Sequence, residues 1–165
     1  MTWIIREERS GDEAAIRALT ERAFAGHSYS DGTEADVIER LRRDGDLVAS
    51  LVAVHGEAQI GQASYSAARL SNGEQGWTVL GPMAVAPEWQ GRGVGRALVE
   101  AGEAAMMARG AKGITVLGDP ELYARFGFRR NTPMRLDGEL GEYLQVKSFG
   151  ALIPAASITY APAFG

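Results

Sequence analysis

Met83-Ala84-Val85-Ala86-Pro87-Glu88-Trp89-Gln90-Gly91-Arg92-Gly93-Val94-Gly95-Arg96-Ala97-Leu98-Val99 is the stretch on which the fold turns. Its apolar start reads as the end of a strand closing at Val85, and after Pro87 the apolar residues recur at helical spacing. A strand that hands over to a helix through a glycine-spaced turn leaves the first helical N–H groups unpaired, and such groups bind anions. Gly91, Gly93 and Gly95 carry no Cβ, so their backbone can take otherwise strained dihedrals and come within hydrogen-bonding range of phosphate oxygens. Gln90 is placed to brace the loop, and Arg92 and Arg96 add positive charge beside the anion. By itself, the glycine spacing fits a plain tight turn equally well. Two other phosphate loops do not match. One requires a lysine and then serine or threonine after its last glycine, where this chain has Arg96-Ala97; the other requires G-x-G-x-x-G between parallel strands, where this chain has G-x-G-x-G after a hairpin pattern.

Upstream, Trp77 to Val85 reads as a strand led in by Asn72-Gly73, a hairpin signal, and its antiparallel partners are Gln59 to Ala67 and Leu47 to Val54. Further back, a short strand at Trp3 to Glu8 gives way to a helix at Ser10-Gly11-Asp12-Glu13, where Ser10 and Glu13 have capping-box spacing. Ile16, Leu19, Ala23 and Phe24 form that helix's apolar face. The polar segment Gly26 to Gly32, which contains His27 and Tyr29, separates it from a second helix carrying Val37, Ile38 and Leu41. Downstream, Val94, Ala97, Leu98, Ala101, Ala105 and Ala108 line one face of the longest helix, and their small size lets the helix backbone approach a sheet. Ile114 to Leu117 is a short buried strand, Pro120 can open a brief helix, and Tyr143 to Phe149 and Ser157 to Phe164 read as further strands. Repeats, low-complexity tracts and linkers are absent, so residues 1–165 are expected to form one domain.

Bulk properties exclude several function classes. Apolar residues make up 45% and charged residues 23% of the 165, an ordinary balance for a globular protein. The net charge of -4 argues against a sequence-independent hold on nucleic acid, which needs a basic face. With no cysteine, thiol catalysis, disulfides and thiolate metal sites are ruled out. His27 and His55 have no carboxylate or second histidine at ligand spacing, so no metal is expected. No apolar run is long enough for a membrane span, and the expected location is cytoplasmic.

The segment Met83 to Val99 resembles the signature of the GNAT-type N-acetyltransferase superfamily, whose core pattern is Q/R-x-x-G-x-G/A. Leu117-Gly118-Asp119-Pro120-Glu121-Leu122-Tyr123-Ala124-Arg125-Phe126-Gly127-Phe128 is similar to that superfamily's later strand followed by Tyr-x-x-x-Gly-Phe. The two segments come in the expected order, and the first half of the chain matches by pattern alone. The resemblance implies an α/β (α+β) acyl-CoA N-acyltransferase fold, a mixed, mostly antiparallel and splayed sheet of about seven strands flanked by helices. It implies acetyl-CoA as cosubstrate and direct acetyl transfer to a primary amine in a ternary complex, with no metal. On the matching positions, Met83, Ala84 and Val85 offer a strand edge to pantetheine. Gln90, Gly91, Arg92, Gly93, Val94, Gly95 and Arg96 hold the pyrophosphate, while Asp119, Tyr123 and Phe126 shape the cleft. A backbone amide, Met83 first among them, is positioned to face the developing oxyanion. Tyr123 is the candidate general acid toward the departing thiolate, against the alternative that it only packs beside Phe126 and Phe128.

A protonated amine also needs a proton acceptor, and Glu34, just after the polar loop, is the candidate; the plain alternative is a first-turn carboxylate favoured by the helix dipole. His27 is a second group in that region. The acceptor, a small-molecule or peptide amine, is expected to meet the loop Gly26 to Gly32 and the segment Thr132 to Gly141, in surroundings made mildly acidic by Glu39, Asp137, Glu139 and Glu142. Neither a membrane nor a nucleic-acid partner is expected, and a homodimer is left open. The rival readings are a non-catalytic acyl-CoA sensor, which keeps the loop without a competent base, and a nucleotide-binding module, which would bind ATP in competition with acetyl-CoA.

Overall fold

The computed structural model describes residues 2–28 and 30–165; Tyr29 of the polar loop lies outside them. The first strand, β1 (Ile4–Glu7), leads into α1 (Glu13–Phe24) and α2 (Glu34–Asp44). Asp12, not Ser10, occupies the N-cap of α1. Its carboxylate accepts from the Arg9 amide at 2.7 Å and from the Arg6 guanidinium at 2.7 Å and 3.1 Å, while Glu13 reaches back to the Gly11 amide at 2.9 Å. The expected box is therefore displaced: Asp12 ties the strand end to the helix start and Ser10 takes no part.

Strands β2 (Leu47–His55), β3 (Ala58–Ala67) and β5 (Trp77–Val85) follow, with the two-residue β4 (Arg69–Leu70) between the last two. The Asn72-Gly73 turn thus closes β4, where the Gly73 amide bonds the Leu70 carbonyl at 2.9 Å, and does not join β3 directly to β5. After the loop come α3 (Val94–Ala108), β6 (Gly113–Leu117), α4 (Pro120–Ala124), β7 (Leu144–Ser148) and β8 (Ile158–Thr159). The main sheet has six strands in the order β1-β2-β3-β5-β6-β7, antiparallel except for β5 with β6. The expected strand Ser157 to Phe164 shrinks to β8, which pairs with β4 in a separate two-stranded sheet. Pro162 has no N–H for a ladder and opens a 3-10 turn at Pro162–Phe164.

Helix α3 packs on one face of β3. A Cβ at Gly61 would meet Val94 and Leu98 side chains at 2.9 Å and 3.0 Å, so the helix lies close to the sheet there. One helical turn on, Tyr65 seats its ring against Gly102 and its hydroxyl donates to the Leu98 carbonyl at 3.1 Å. The buried face of α3 accordingly runs through Val94, Leu98, Val99, Gly102 and Met106, and the alanines flank it. On the opposite side, Leu19 and Ala23 of α1 pack against Ala84 and Ala86 at the end of β5.

One feature of the sheet makes the site. β5 pairs with β6 only from Trp77 opposite Gly113 to Leu80 opposite Val116; from Gly81 to Val85 it keeps β3 as its sole partner, while β6 stays paired with β7 through Leu117. The strands diverge at Gly81-Pro82, where β5 spends three steps from Leu80 to Met83 against two on β3 from Tyr65 to Ala63, a bulge that adds local twist. Among the described residues, no helix is long and apolar enough to cross a membrane.

Candidate active site

The divergence of β5 and β6 leaves a backbone edge open. The Ala86 amide donates to the Ile60 carbonyl of β3 at 2.8 Å. Because main-chain groups alternate along an extended strand, the N–H and C=O groups of Met83 and Val85 point away from β3, into the gap. Gln90 confirms the direction: its Nε2 donates to the Val85 carbonyl at 3.1 Å, which braces the loop against the strand end.

Past a 3-10 turn at Pro87–Trp89, Gly91 and Gly93 adopt φ of +77° and +91°. Both values lie in the left-handed region that costs other residues energy, so the glycines are required by the path of the chain. Gly93 is the N-cap of α3 and caps with no side chain, so the helix begins with its first amides turned toward the gap. A partial positive charge of the helix dipole sits there as well. Gly95 lies beside the Met83 and Val85 side chains, where a Cβ would be 3.8 Å from each.

Across the gap stands α4. Asp119 caps it by accepting from the Glu121 amide at 2.9 Å, and Pro120 supplies its first turn. Tyr123 is only 8% exposed; its ring covers Gly118 and meets Phe126 and Phe128 edge-on at centroid distances of 6.0 Å and 5.7 Å. Burial, with a smaller contribution from the Asp119 charge, pushes its phenol up to about 12, so it holds its proton throughout the neutral range. The Arg96 guanidinium lies over the Phe126 ring at 5.0 Å and links the two walls.

A cleft of about 510 Å³ runs between these walls. Of the residues singled out from sequence, Met83, Ala84, Val85, Gln90, Gly91, Gly93, Gly95, Arg96, Tyr123 and Phe126 line it. Three do not. Val94 is buried in the core under Gly61, Arg92 lays its guanidinium over Trp89 at 5.2 Å, and Asp119 faces its own helix as a cap. His27, the second candidate near the polar loop, also lines it, and so do five residues not singled out: Ala23, Phe24, Trp89, Leu122 and Arg125. Their sequence signals were ambiguous, since Ala23 and Phe24 fit an ordinary core face and Arg125 an ordinary exposed one.

A second cavity, of about 470 Å³, adjoins the first and shares Phe24 and His27 with it. Glu34 lines this one and not the first. Its carboxylate accepts from the Ser30 hydroxyl at 2.7 Å, and Ser30 in turn accepts from the Gly32 amide at 3.0 Å, so the loop holds the carboxylate in place. Glu21 is the other acidic residue of the wall. The two cavities have opposite character: arginines and no carboxylate line the first, and carboxylates without lysine or arginine line the second. Neither takes a residue from Thr132 to Gly141, and Glu39 is engaged with Arg17 at 2.7 Å. Among the described residues, no group of three or more metal-ligating side chains is gathered to hold an ion.

One cleft of this chain thus brings together an open strand edge, a glycine turn and a bare helix N-terminus. Residues 46–130 match the family model described as the acetyltransferase (GNAT) domain. The Escherichia coli K12 protein named uncharacterized N-acetyltransferase YhbS is 36% identical over 126 residues, 76% of this chain and 72% of that protein. Among solved structures, a GNAT family acetyltransferase from Brucella melitensis in complex with acetyl-CoA superposes with a TM-score of 0.89 at 35% identity, covering 99% of each chain. The Escherichia coli YhbS structure in complex with CoA gives 0.86 at 31% identity, covering 98% of this chain and 91% of that one. On the family match, the extent of the sequence identity and the close superposition, the chain belongs to the GNAT acetyltransferase family.

Proposed function

We propose that this protein is an acetyl-CoA-dependent N-acetyltransferase that moves the acetyl group directly to a primary amine held in the same complex. The observation that carries the reading is the single cleft in which the open edge of Met83 and Val85 runs into the bare amides at the start of α3. That cleft fits the donor on physical grounds. The amides after Gly93, together with Arg96, suit a pyrophosphate; the edge of Met83 to Val85 suits the amide-bearing pantetheine arm; and the apolar wall of Leu122 and Phe126 suits its methylenes. Acetyl-CoA, when bound, supplies an acyl group activated as a thioester.

The remaining chemistry falls to the chain. The Met83 amide, fixed by the strand, is the donor aimed at the carbonyl oxygen as negative charge grows there. Tyr123, buried and protonated at neutral pH, can give its phenolic proton to the departing sulfur. The amine enters from the smaller cavity, whose carboxylates favour a cationic acceptor before it is deprotonated. Glu34 takes up the proton, with His27 at the junction of the cavities as the group through which it can pass.

The test is direct. Calorimetric titration with acetyl-CoA should show saturable binding at one site, unaffected by ATP. Free coenzyme A thiol should then appear with at least one member of a panel of primary amines. Tight binding with no thiol release across a broad panel would defeat the transfer reading and leave an acyl-CoA sensor, and displacement by ATP would leave a nucleotide-binding module.

A further inference from the structure

Helix α4 has five residues, far below the length at which a helix holds itself together in water. Tyr123 and its neighbours Leu122, Arg125 and Phe126 nevertheless form one whole wall of the cleft. Something outside the segment has to hold it. At its start the anchor is the Asp119 cap. At its exit the anchor comes from β7, where Lys147 lies opposite Ile114 of β6 and reaches over the sheet. Lys147 Nζ donates to the Phe126 carbonyl at 2.8 Å and to Glu103 Oε1 of α3 at 2.8 Å.

The ammonium is mostly enclosed, with 26% of the Lys147 side chain and 15% of the Glu103 side chain exposed. A lysine so placed needs both a counter-charge and acceptors for its protons, and it has one of each kind. The chain also makes room for it. Gly127 has φ +89°, and a Cβ there would sit 3.2 Å from both Cε and Nζ of Lys147. Lys147 lines neither cavity. Its two bonds instead join the walls of the cleft: α3, whose first turn faces the gap, and the exit of α4, whose only turn carries Tyr123.

We infer that Lys147 is a positioning residue that sets the Tyr123 phenol relative to α3 by clamping the Phe126 carbonyl to Glu103. The inference rests on the transfer reading for its catalytic consequence, and on the geometry alone for its structural one. A phenol displaced by an ångström from its working place loses much of its rate benefit, whereas binding spread along the α3 amides is little changed.

The test is Lys147→Met, which keeps the length and removes the charge and donors, with Glu103→Gln as a milder second variant if the first does not fold. Hydrogen exchange followed by mass spectrometry should show faster exchange across residues 120–128 in the variant, with α3 unaffected; unchanged exchange there overturns the clamp whether or not the protein is an enzyme. In steady-state assays of folded protein, kcat should fall by about tenfold for Lys147→Met and about threefold for Glu103→Gln, with KM for acetyl-CoA within about twofold. Repeated in a Tyr123→Phe background, either substitution should cost almost nothing further, because the group it positions is gone. An equal loss in both backgrounds, or a loss confined to KM, overturns the inference. A wild type that turns over no amine would instead count against the transferase reading, and the exchange result would still decide the clamp.

Discussion

The two cavities of this protein meet at Phe24 and His27, yet they are built from different material. One wall of the larger is made of backbone: an open strand edge, a turn forced by two left-handed glycines and a helix whose first amides lack side-chain caps. The smaller is made of side chains carried on a loop and on the facing ends of α1 and α2. Backbone recognition depends on the path of the chain and tolerates change in most side chains. Side-chain recognition can be rewritten by a few substitutions without touching the fold. On the proposed function, the first cavity is the one for the acyl-CoA donor and the second the one for the amine acceptor.

The largest effect expected is at Gly93. Gly93→Val forces a β-branched residue into a left-handed conformation and turns the first amides of α3 aside, so affinity for acetyl-CoA should fall by about a hundredfold or more in calorimetry. If the variant bound acetyl-CoA like the wild type, the backbone would not be the binding surface and the comparison would break. Next comes Tyr123→Phe, which should lower kcat by about a hundredfold while the acetyl-CoA dissociation constant stays within about threefold. A loss expressed only as weaker binding would make Tyr123 a packing residue.

In the second cavity, Glu34→Gln should raise KM for the amine by about tenfold and leave acetyl-CoA binding untouched. Its companion His27→Gln separates the two proton acceptors, since the variant with the larger loss in kcat marks the group that takes the proton. An effect of either substitution on acetyl-CoA affinity alone would merge the two cavities into one site.

Smallest is Asp12→Asn, far from both. The Arg6 guanidinium first, and the Arg9 amide second, hold the Asp12 carboxyl down to about 2. A depressed acid stabilises the fold above its unfolded value, near 4, and that contribution disappears as pH falls through the folded value. The variant should therefore melt a few degrees below the wild type at pH 7, with the gap closing between about pH 4 and pH 2 in thermal scans. Kinetic parameters should not move. A gap that stays constant with pH would show that the charge pair with Arg6 is not what the substitution removes.

Much of the larger cleft was legible in the sequence because its causes are local. Gly91 and Gly93 declare a backbone no other residue accepts readily, and the switch from strand to helical period places them at a helix start. Local pattern does not say where each side chain turns. Val94 belongs to the motif but packs inward, because helix α3 must rest on Gly61; Arg92 belongs to it too but stacks on Trp89. Ser10 and Glu13 had the right spacing for a cap, yet Asp12 won because Arg6 on β1 lies within reach of its carboxylate. For Phe24, Leu122 and Arg125, nothing in the local pattern distinguishes a residue facing the cleft from one facing the core or water.

What the sequence determined by itself was each element's internal geometry: where the chain turns, which stretches alternate, and that a helix begins at bare amides after Gly93. What only the tertiary structure decided was which edges remain open. Strand β5 is a continuous pattern from Trp77 to Val85, but it leaves β6 after Leu80. Lys147 is 24 residues from Tyr123 along the chain by numbering, yet its Nζ bonds the carbonyl of Phe126, whose ring meets that of Tyr123. Dihedral preferences and periodicity act over a few residues and can be read along the chain, whereas strand divergence and wall-to-wall clamps depend on partners that only folding brings together.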